Sequence, residues 1–406
     1  MRVNPTKTVN ELVVVLSYVI DIVEKKKNYH SWRVAIISSL SAKNACLPWQ
    51  LKYIFYASLL HDIGGIGFPT HIIHYLKRTD KTSRSILLSH PIISAQLIYN
   101  IPKMNPAAKL ILDHHEWING MGYPRAKTEK DIPWGSQIIR IADSVDIYLQ
   151  AKNTKKLNNL KNTLSMNIGK EYSKEIFNRT FSVLKQNALF YKICSPKDIP
   201  EIFNKVRVKV GLLHIPLKND AVGKALEAVA QIIDMKHPFT SGHSLRVSRY
   251  AMAIALAMNL SHDDITLIRW AGLIHDIGKL NVSRRILDKL TNLTQKEYSQ
   301  IQKHARQTFD ILSMIPTLKD ITLIAAAHHE RHDGRGYPFG LKGDQIPLGA
   351  RILAVCDAFD AMTSNRPYRI PFTFEDACLE IKSLAGKQFN PEIVKHSLPI
   401  LRNLGF

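Results

Sequence analysis

The chain has 406 residues, 45% of them hydrophobic and 22% charged, which is ordinary globular usage and excludes a disordered or fibrous chain. At roughly 150 residues per domain, that length predicts two or three domains. Lys and Arg outnumber Asp and Glu by 55 to 34, a net +21, and the excess is uneven: residues 1–210 carry 31 basic and 15 acidic side chains, residues 211–406 carry 24 and 19. Such a balance favours anionic partners, whether nucleotides, nucleic acid or an acidic membrane surface, without choosing among them.

Near its start the chain carries an apolar run from Leu12 to Ile20 that stops at Asp21. Nine residues fall well short of the ~20 that a spanning helix needs. No basic segment followed by an apolar core and a small-residue cleavage site opens the sequence, so the expectation is a cytoplasmic protein without a membrane partner. From His30 onward, blocks of the first half recur about 214 positions later. HDIGGIG from His61 answers HDIGKLN from His275, and SHPIISAQLI around His90 answers KHARQTFDIL around His304. HHEWINGMGYP from His114 answers HHERHDGRGYP from His328; IADSVD with Asp143 answers VCDAFD with Asp357. GKEYSKEI from Gly169 answers GKQFNPEI from Gly386, and His30 pairs with His243. Register held across so many blocks means a duplicated domain. The division expected is residues 1–204 and 205–406, with KVRVKVGLLHI (205–215) alternating as a short connector ribbon would. Beyond it, ALEAVAQIIDM, YAMAIALAMNL and TLIRWAGLIHDI place apolar residues at i, i+3, i+4 and i+7, the helical period. Gly and Pro gather at GMGYP and GRGYPFGLKGDQIP, which read as loops. The fold class expected is all-α, two tandem helical domains. Cys46, Cys194, Cys356 and Cys378 are scattered, with no CxxC pair, and read as reduced thiols.

The 17 histidines carry the chemistry. In the second copy the candidates are His243, His275, Asp276, His304, His328, His329 and Asp357. Imidazole and carboxylate together suit first-row metals, and one carboxylate can bridge two of them. Adjacent His275 and Asp276 suit that division of labour, one terminal and one bridging. A two-metal centre serves phosphoester cleavage, because it generates hydroxide from water and neutralises the phosphate. A single His on an apolar helix is ordinarily a core residue; seven ligand-type residues in repeated order are not.

The runs HDIGK (275–279), HHERHDGRGYP (328–338) and CDAFDAMTSNRPYR (356–369) resemble the HD-GYP family of cyclic-dinucleotide phosphodiesterases. The resemblance implies tandem HD-GYP-type helical domains, with one metal held by His243, His275, Asp276 and Asp357. A second would be held by Asp276, His304, His328 and His329. It implies that Lys279 grips the scissile phosphate and that Arg366 adds a second cationic contact, leaving Asp276, Lys279 and Arg366 as the catalytic set. Two divalent transition ions are expected, Fe or Mn ahead of Zn, with Ni also accepted by such a site. Some members hold a third metal through a Glu one turn before the first His; Phe239 stands there. Gly334, Gly336, Tyr337 and Pro338 read as a shaped loop, Glu330 and Asp333 as ligand-orienting, surface or capping groups, and His332 and His237 as structural or solvent-exposed.

The first copy keeps every ligand type in His30, His61, Asp62, His90, His114, His115 and Asp143, so it too could hold metal. Yet Gly65 replaces the lysine, Asn119 matches Asp333, and IYLQAKN replaces NRPYR, leaving at most Lys152 near the Arg366 position. This points to a degenerate, regulatory first domain in contact with a catalytic second. The substrate implied is a cyclic dinucleotide, either cyclic di-GMP or, as in tandem relatives, 3′,3′-cGAMP. Two alternatives stay open: another HD-type nucleotide phosphohydrolase, and a non-catalytic cyclic-dinucleotide or nucleic-acid binder. No zinc-finger spacing, RNP sequence or Gly-Arg tract supports a specific nucleic-acid partner. A homodimer is compatible with the sequence.

Overall fold

The structure, a computed structural model, describes residues 3–23, 29–68, 81–151, 156–216, 220–236, 241–289, 291–364 and 371–403. Among the described residues there is no strand, only isolated bridges, two of which (Ile168–Tyr172 and Ala385–Phe389) fall at equivalent places in the two copies. The chain divides into two compact units, Pro5–Ala221 and Val222–Phe406, the latter taken with Met1–Asn4.

In the first unit the order is α1 (Pro5–Val23), α2 (His30–Ala42), α3 (Pro48–Leu60), α4 (Lys81–Tyr99), α5 (Asn105–Leu112), α6 (Trp134–Ala151), α7 (Leu157–Ser165), α8 (Lys174–Lys185), α9 (Leu189–Ile193) and α10 (Ile199–Val210). The second unit repeats the series with α11 (Ala221–Met235), α12 (His243–Ala257), α13 (His262–Ile274), α14 (Arg284–Leu287), α15 (Gln295–Ser313), α16 (Lys319–Ala326), α17 (Leu348–Thr363), α18 (Phe374–Ser383) and α19 (Pro391–Asn403). Local chemistry starts these helices. Ser261, Thr294 and Thr373 accept from the backbone N–H three residues on, and Glu297 completes a capping box with Thr294. Helix-period burial then holds them: His304, Ala305, Thr308, Ile311 and Leu312 form one buried face of α15.

The expected ribbon over 205–215 is instead the C-terminal half of α10 followed by a short extended tail. The alternation of valines misleads because Val208 is 76% exposed. Ile199, Phe203, Val206 and Val210 are the buried residues, and their spacing is helical. Phe203 stacks on Trp32 at 4.1 Å, and Gly211, in the left-handed region, ends the helix. Beyond it Asn10 holds Leu213 through both backbone groups (2.8 and 2.9 Å) and Thr6 does the same for Ile215 (2.9 and 2.9 Å). Residues 205–216 therefore pack with the first unit, and the compact units divide at Ala221/Val222 rather than at 204/205.

The His-Asp corner is set by close packing of a glycine. The short 3-10 turn Ile277–Asn281 follows α13, and Gly278 lies against α15, where a methyl would meet the His304 carbonyl oxygen at 2.0 Å and the Thr308 nitrogen at 2.7 Å. Gly64 meets α4 in the same way. Overpacking of this kind costs about 1–3 kcal/mol, and contact with rigid backbone places it at the upper end. Gly278→Ala should lower the thermal midpoint by several degrees and disorder the corner; calorimetry showing an unchanged midpoint would contradict the packing.

Candidate metal centre

Each ligand-type residue sits at a helix start or end, or on a buried helix face. His243 is the first residue of α12, after Gly242 in the left-handed region, and His30 is the first of α2. His275 and Asp276 follow α13, His328 and His329 follow α16, while His304 and Asp357 lie within α15 and α17. The structure brings the second copy's seven together. His243, His275 and Asp276 offer ligand atoms within 4.8 Å of one another, as do His304, His328 and His329. In the first copy the groups are His30, His61 and Asp143, and Asp62, His90, His114 and His115.

The aspartate of the HD pair joins the two groups. Asp276 Oδ2 faces His243 Nε2 (3.6 Å) and His275 Nε2 (3.4 Å), while Oδ1 faces His304 Nε2 (3.4 Å) and His328 Nε2 (4.0 Å). Asp62 repeats this: Oδ2 lies 3.6 Å from both His30 and His61, Oδ1 3.5 Å from His90 and 3.7 Å from His114. Asp357 Oδ1 closes the first group at 3.3 Å from His243. Asp276 Oδ1 is buried and makes no hydrogen bond. An orphaned carboxylate oxygen costs free energy unless a cation satisfies it. Imidazoles aimed at a carboxylate from both sides fit a pair of divalent transition metals.

Outer hydrogen bonds at Nδ1 leave Nε2 as the ring nitrogen that faces the cluster. His275 donates Nδ1–H to the Gly272 carbonyl (2.8 Å), His304 to Ile301 (2.6 Å) and His328 to Ala325 (2.7 Å). His243 Nδ1 lies 2.7 Å from Asp360 Oδ2, and Arg246 grips the same carboxylate with Nε at 2.6 Å and Nη2 at 3.0 Å. Asp146 and Arg33 reproduce that pair behind His30. Asp360, Arg246, Asp146 and Arg33 are not among the residues expected from the sequence. The signal was present in HSWR and HSLR, and in the second aspartate of IADSVD and VCDAFD.

Burial pushes His304 down to about 3 and His329 to about 4, with His90 and His61 likewise at about 3 and 4, so all four are neutral and ready to ligate. Burial also acts on His243, but hydrogen bonds to Asp276, Asp357 and Asp360 outweigh it and hold the imidazole well above its usual range. Burial would raise Asp276; Lys279 and the surrounding histidines hold it well below the carboxylate range.

Lys279 lies 2.5 Å from Asp276 Oδ2, at the edge of the double cluster. Arg366, Phe239, His237 and Lys152 lie outside the described residues. Glu330 is buried and accepts from the backbone of Phe339 (2.6 Å), Gly340 (3.2 Å) and Leu341 (3.1 Å), so it shapes the GYP loop. Asp333 is held by Arg331 at a surface turn. A methyl on Gly336 would meet the Arg331 nitrogen at 2.4 Å, which explains the glycine; Tyr337 packs on His329 at 4.9 Å. His332 contributes only backbone hydrogen bonds, to Gln388 and Gly343. None of the four cysteines is in a disulfide, and no described helix is long and apolar enough to cross a membrane.

The HD domain family matches twice, over residues 17–173 and 227–393. The chain belongs to that family. The HD-GYP resemblance is borne out with it. Among curated relatives, the 3′3′-cGAMP-specific phosphodiesterase 3 of Vibrio cholerae is 33% identical over 281 residues, 69% of this chain and 59% of that protein. The 3′3′-cGAMP-specific phosphodiesterase 1 of the same organism is 28% identical over 84% of this chain and 79% of that protein. A cyclic di-GMP phosphodiesterase of Thermotoga maritima is 40% identical over 46% of this chain and 51% of that protein. The chain thus spans less than two thirds of two of these three relatives. A crystal structure of a cyclic GMP-AMP-specific phosphodiesterase from Vibrio cholerae shares the fold, at TM-score 0.64 and 23% identity over 98% of both chains.

Two outcomes follow from this geometry. Replacing Asp360 with Asn should weaken metal affinity roughly 10–100-fold with little change in helicity; competition titration against a chelator reads it. In metal-stripped protein, His61, His90, His304 and His329 stay neutral when folded but protonate near 6.5 when unfolded. The unfolded state then binds more protons, so stability falls as pH drops from 6.5 towards about 4, by up to ~1.4 kcal/mol per pH unit per histidine. His243 opposes this alone among the histidines with a resolved shift, its contribution being lost as pH rises. A thermal midpoint that stays level or rises on acidification over that window would show that these histidines are not held neutral.

Proposed function

We propose that this protein is a metal-dependent cyclic-dinucleotide phosphodiesterase whose second unit performs the hydrolysis. The observation that carries this reading is the bridging geometry of Asp276 with Lys279 beside it. His243, His275, Asp276 and Asp357 would hold one divalent ion, and Asp276, His304, His328 and His329 the other, with Fe or Mn the natural occupants. When bound, such a pair supplies an activated water and neutralises charge on the phosphoryl group. Asp360 and Arg246 orient His243, and the GYP loop fixes His329 through Tyr337. Lys279, beside Asp276, would contact a non-bridging phosphoryl oxygen, and Arg366 would add a second positive charge. Water's oxygen ends on phosphorus, one P–O3′ bond breaks, and a proton passes to the departing ribose oxygen, leaving a linear dinucleotide.

The substrate favoured is 3′,3′-cGAMP. The relatives whose match extends beyond a single copy, over 69% and 84% of the chain, are named for that nucleotide. A cyclic di-GMP phosphodiesterase matches 46%. Cyclic di-GMP is the second reading, carried by the higher identity of that shorter match. The first unit, with Gly65 in place of the lysine, is read as regulatory.

Incubation with each cyclic dinucleotide and chromatography of the products tests the reading directly, with activity lost on chelation and restored by Mn²⁺ or Fe²⁺. Asp276→Ala should abolish turnover with an unchanged helical spectrum, whereas Asp62→Ala should leave most of it. Lys279→Ala should lose on the order of 10²-fold in turnover at normal metal content. Comparable rates in the Asp276 variant would remove the assignment.

A further inference from the structure

The two units differ in the cations beside their ligand clusters. The first unit lacks the lysine of the second, yet a guanidinium reaches its ligand cluster at His115 and Asp143. Arg140, on α6, occupies the position of Ala354 on α17, one turn before the aspartate ligand. Its partner Glu171 stands where the second copy has Gln388, which instead accepts from Arg331. Both charged side chains are largely buried, at 13% and 10% exposure. Arg140 reaches Glu171 Oε2 with both Nε (2.9 Å) and Nη2 (2.7 Å), which orients the guanidinium and so the direction of Nη1. Nη1 then faces His115 Nδ1 at 3.2 Å and Asp143 Oδ2 at 3.4 Å, in the wall of a cavity of about 480 Å³ that also exposes Asp62 and Tyr123.

A guanidinium only donates, so His115 Nδ1 is the acceptor. A neutral imidazole has a single lone pair. The other ligand histidines with a hydrogen-bonded Nδ1 in both units direct it at a carbonyl or carboxylate oxygen, leaving Nε2 to coordinate: His61 to Ser58 (2.9 Å), His90 to Leu87 (2.6 Å), His114 to Ile111 (2.6 Å) and His30 to Asp146 (2.6 Å). His115 departs from that rule because of Arg140. Resting on the metal reading proposed above, we infer that Arg140 competes with a second metal for the lone pair of His115, so that the first unit retains one metal where the second holds two. The retained ion is the one served by His30, His61, Asp62 and Asp143. The other position keeps Asp62, His90 and His114 but has lost its fourth ligand to an internal cation, whose positive charge further opposes a dication there.

Metal content of the full chain tests this without reference to turnover. Protein saturated with Mn²⁺, freed of excess ion and analysed for elements should hold about three metals per chain. The double substitution Arg140→Ala/Glu171→Gln installs the second copy's residues and removes both charges together, so no buried carboxylate is orphaned; it should raise the content to about four. Should that variant not fold, the reciprocal Ala354→Arg/Gln388→Glu should lower the content to about two. About four metals in the unsubstituted chain, or no response in a folded variant, overturns the inference while leaving the metal reading intact. A chain that takes up no transition metal overturns both.

Discussion

A carboxylate divided between two sets of imidazoles is the constraint on which the rest of this architecture depends. Asp276 and Asp62 each direct one oxygen at a pair of histidines and the other oxygen at a second pair. Burying that many lone pairs and a negative charge without cations is unfavourable, as the hydrogen-bond-free Oδ1 of Asp276 shows. The surrounding helices must therefore be rigid enough to hold donors in place before any ion arrives. Glycine at the corner, histidines at helix ends and hydrogen bonds to carbonyls three residues back all serve that preorganisation.

Duplication makes the molecule its own comparison. Features kept in both units, such as the Asp360–Arg246 and Asp146–Arg33 pairs behind the first histidine, belong to holding the ligand array. Features that differ concern charge near the ligands: Lys279 against Gly65, and Ala354 against Arg140. The first unit has not simply lost a cation. It has moved one from beside the bridging carboxylate to the side of His115 and Asp143. A change of that kind alters what the cluster can bind while leaving the helical scaffold intact.

The all-α class, the duplication and all fourteen ligand-type residues were legible in the sequence, because repeated blocks and helical periodicity are one-dimensional signals. The ribbon expected at 205–215 was not, because Val206, Val208 and Val210 alternate in sequence whereas burial of Phe203, Val206 and Val210 follows the helix. That decision belongs to Trp32, Phe55, Thr6 and Asn10, all more than 140 residues away in the chain.

Sequence alone also established which residues could bind metal, since imidazole and carboxylate chemistry is a property of the residue type. Only the tertiary structure decided how they divide: which oxygen of Asp276 faces which histidines, that Asp360 rather than a backbone carbonyl backs His243, and that Arg140 reaches His115. These are matters of direction over a few ångströms between helices distant in sequence, and hydrogen bonds and lone pairs are directional. Composition and spacing carry no record of direction, so the contact of Arg140 with His115 emerged only once the helices were packed.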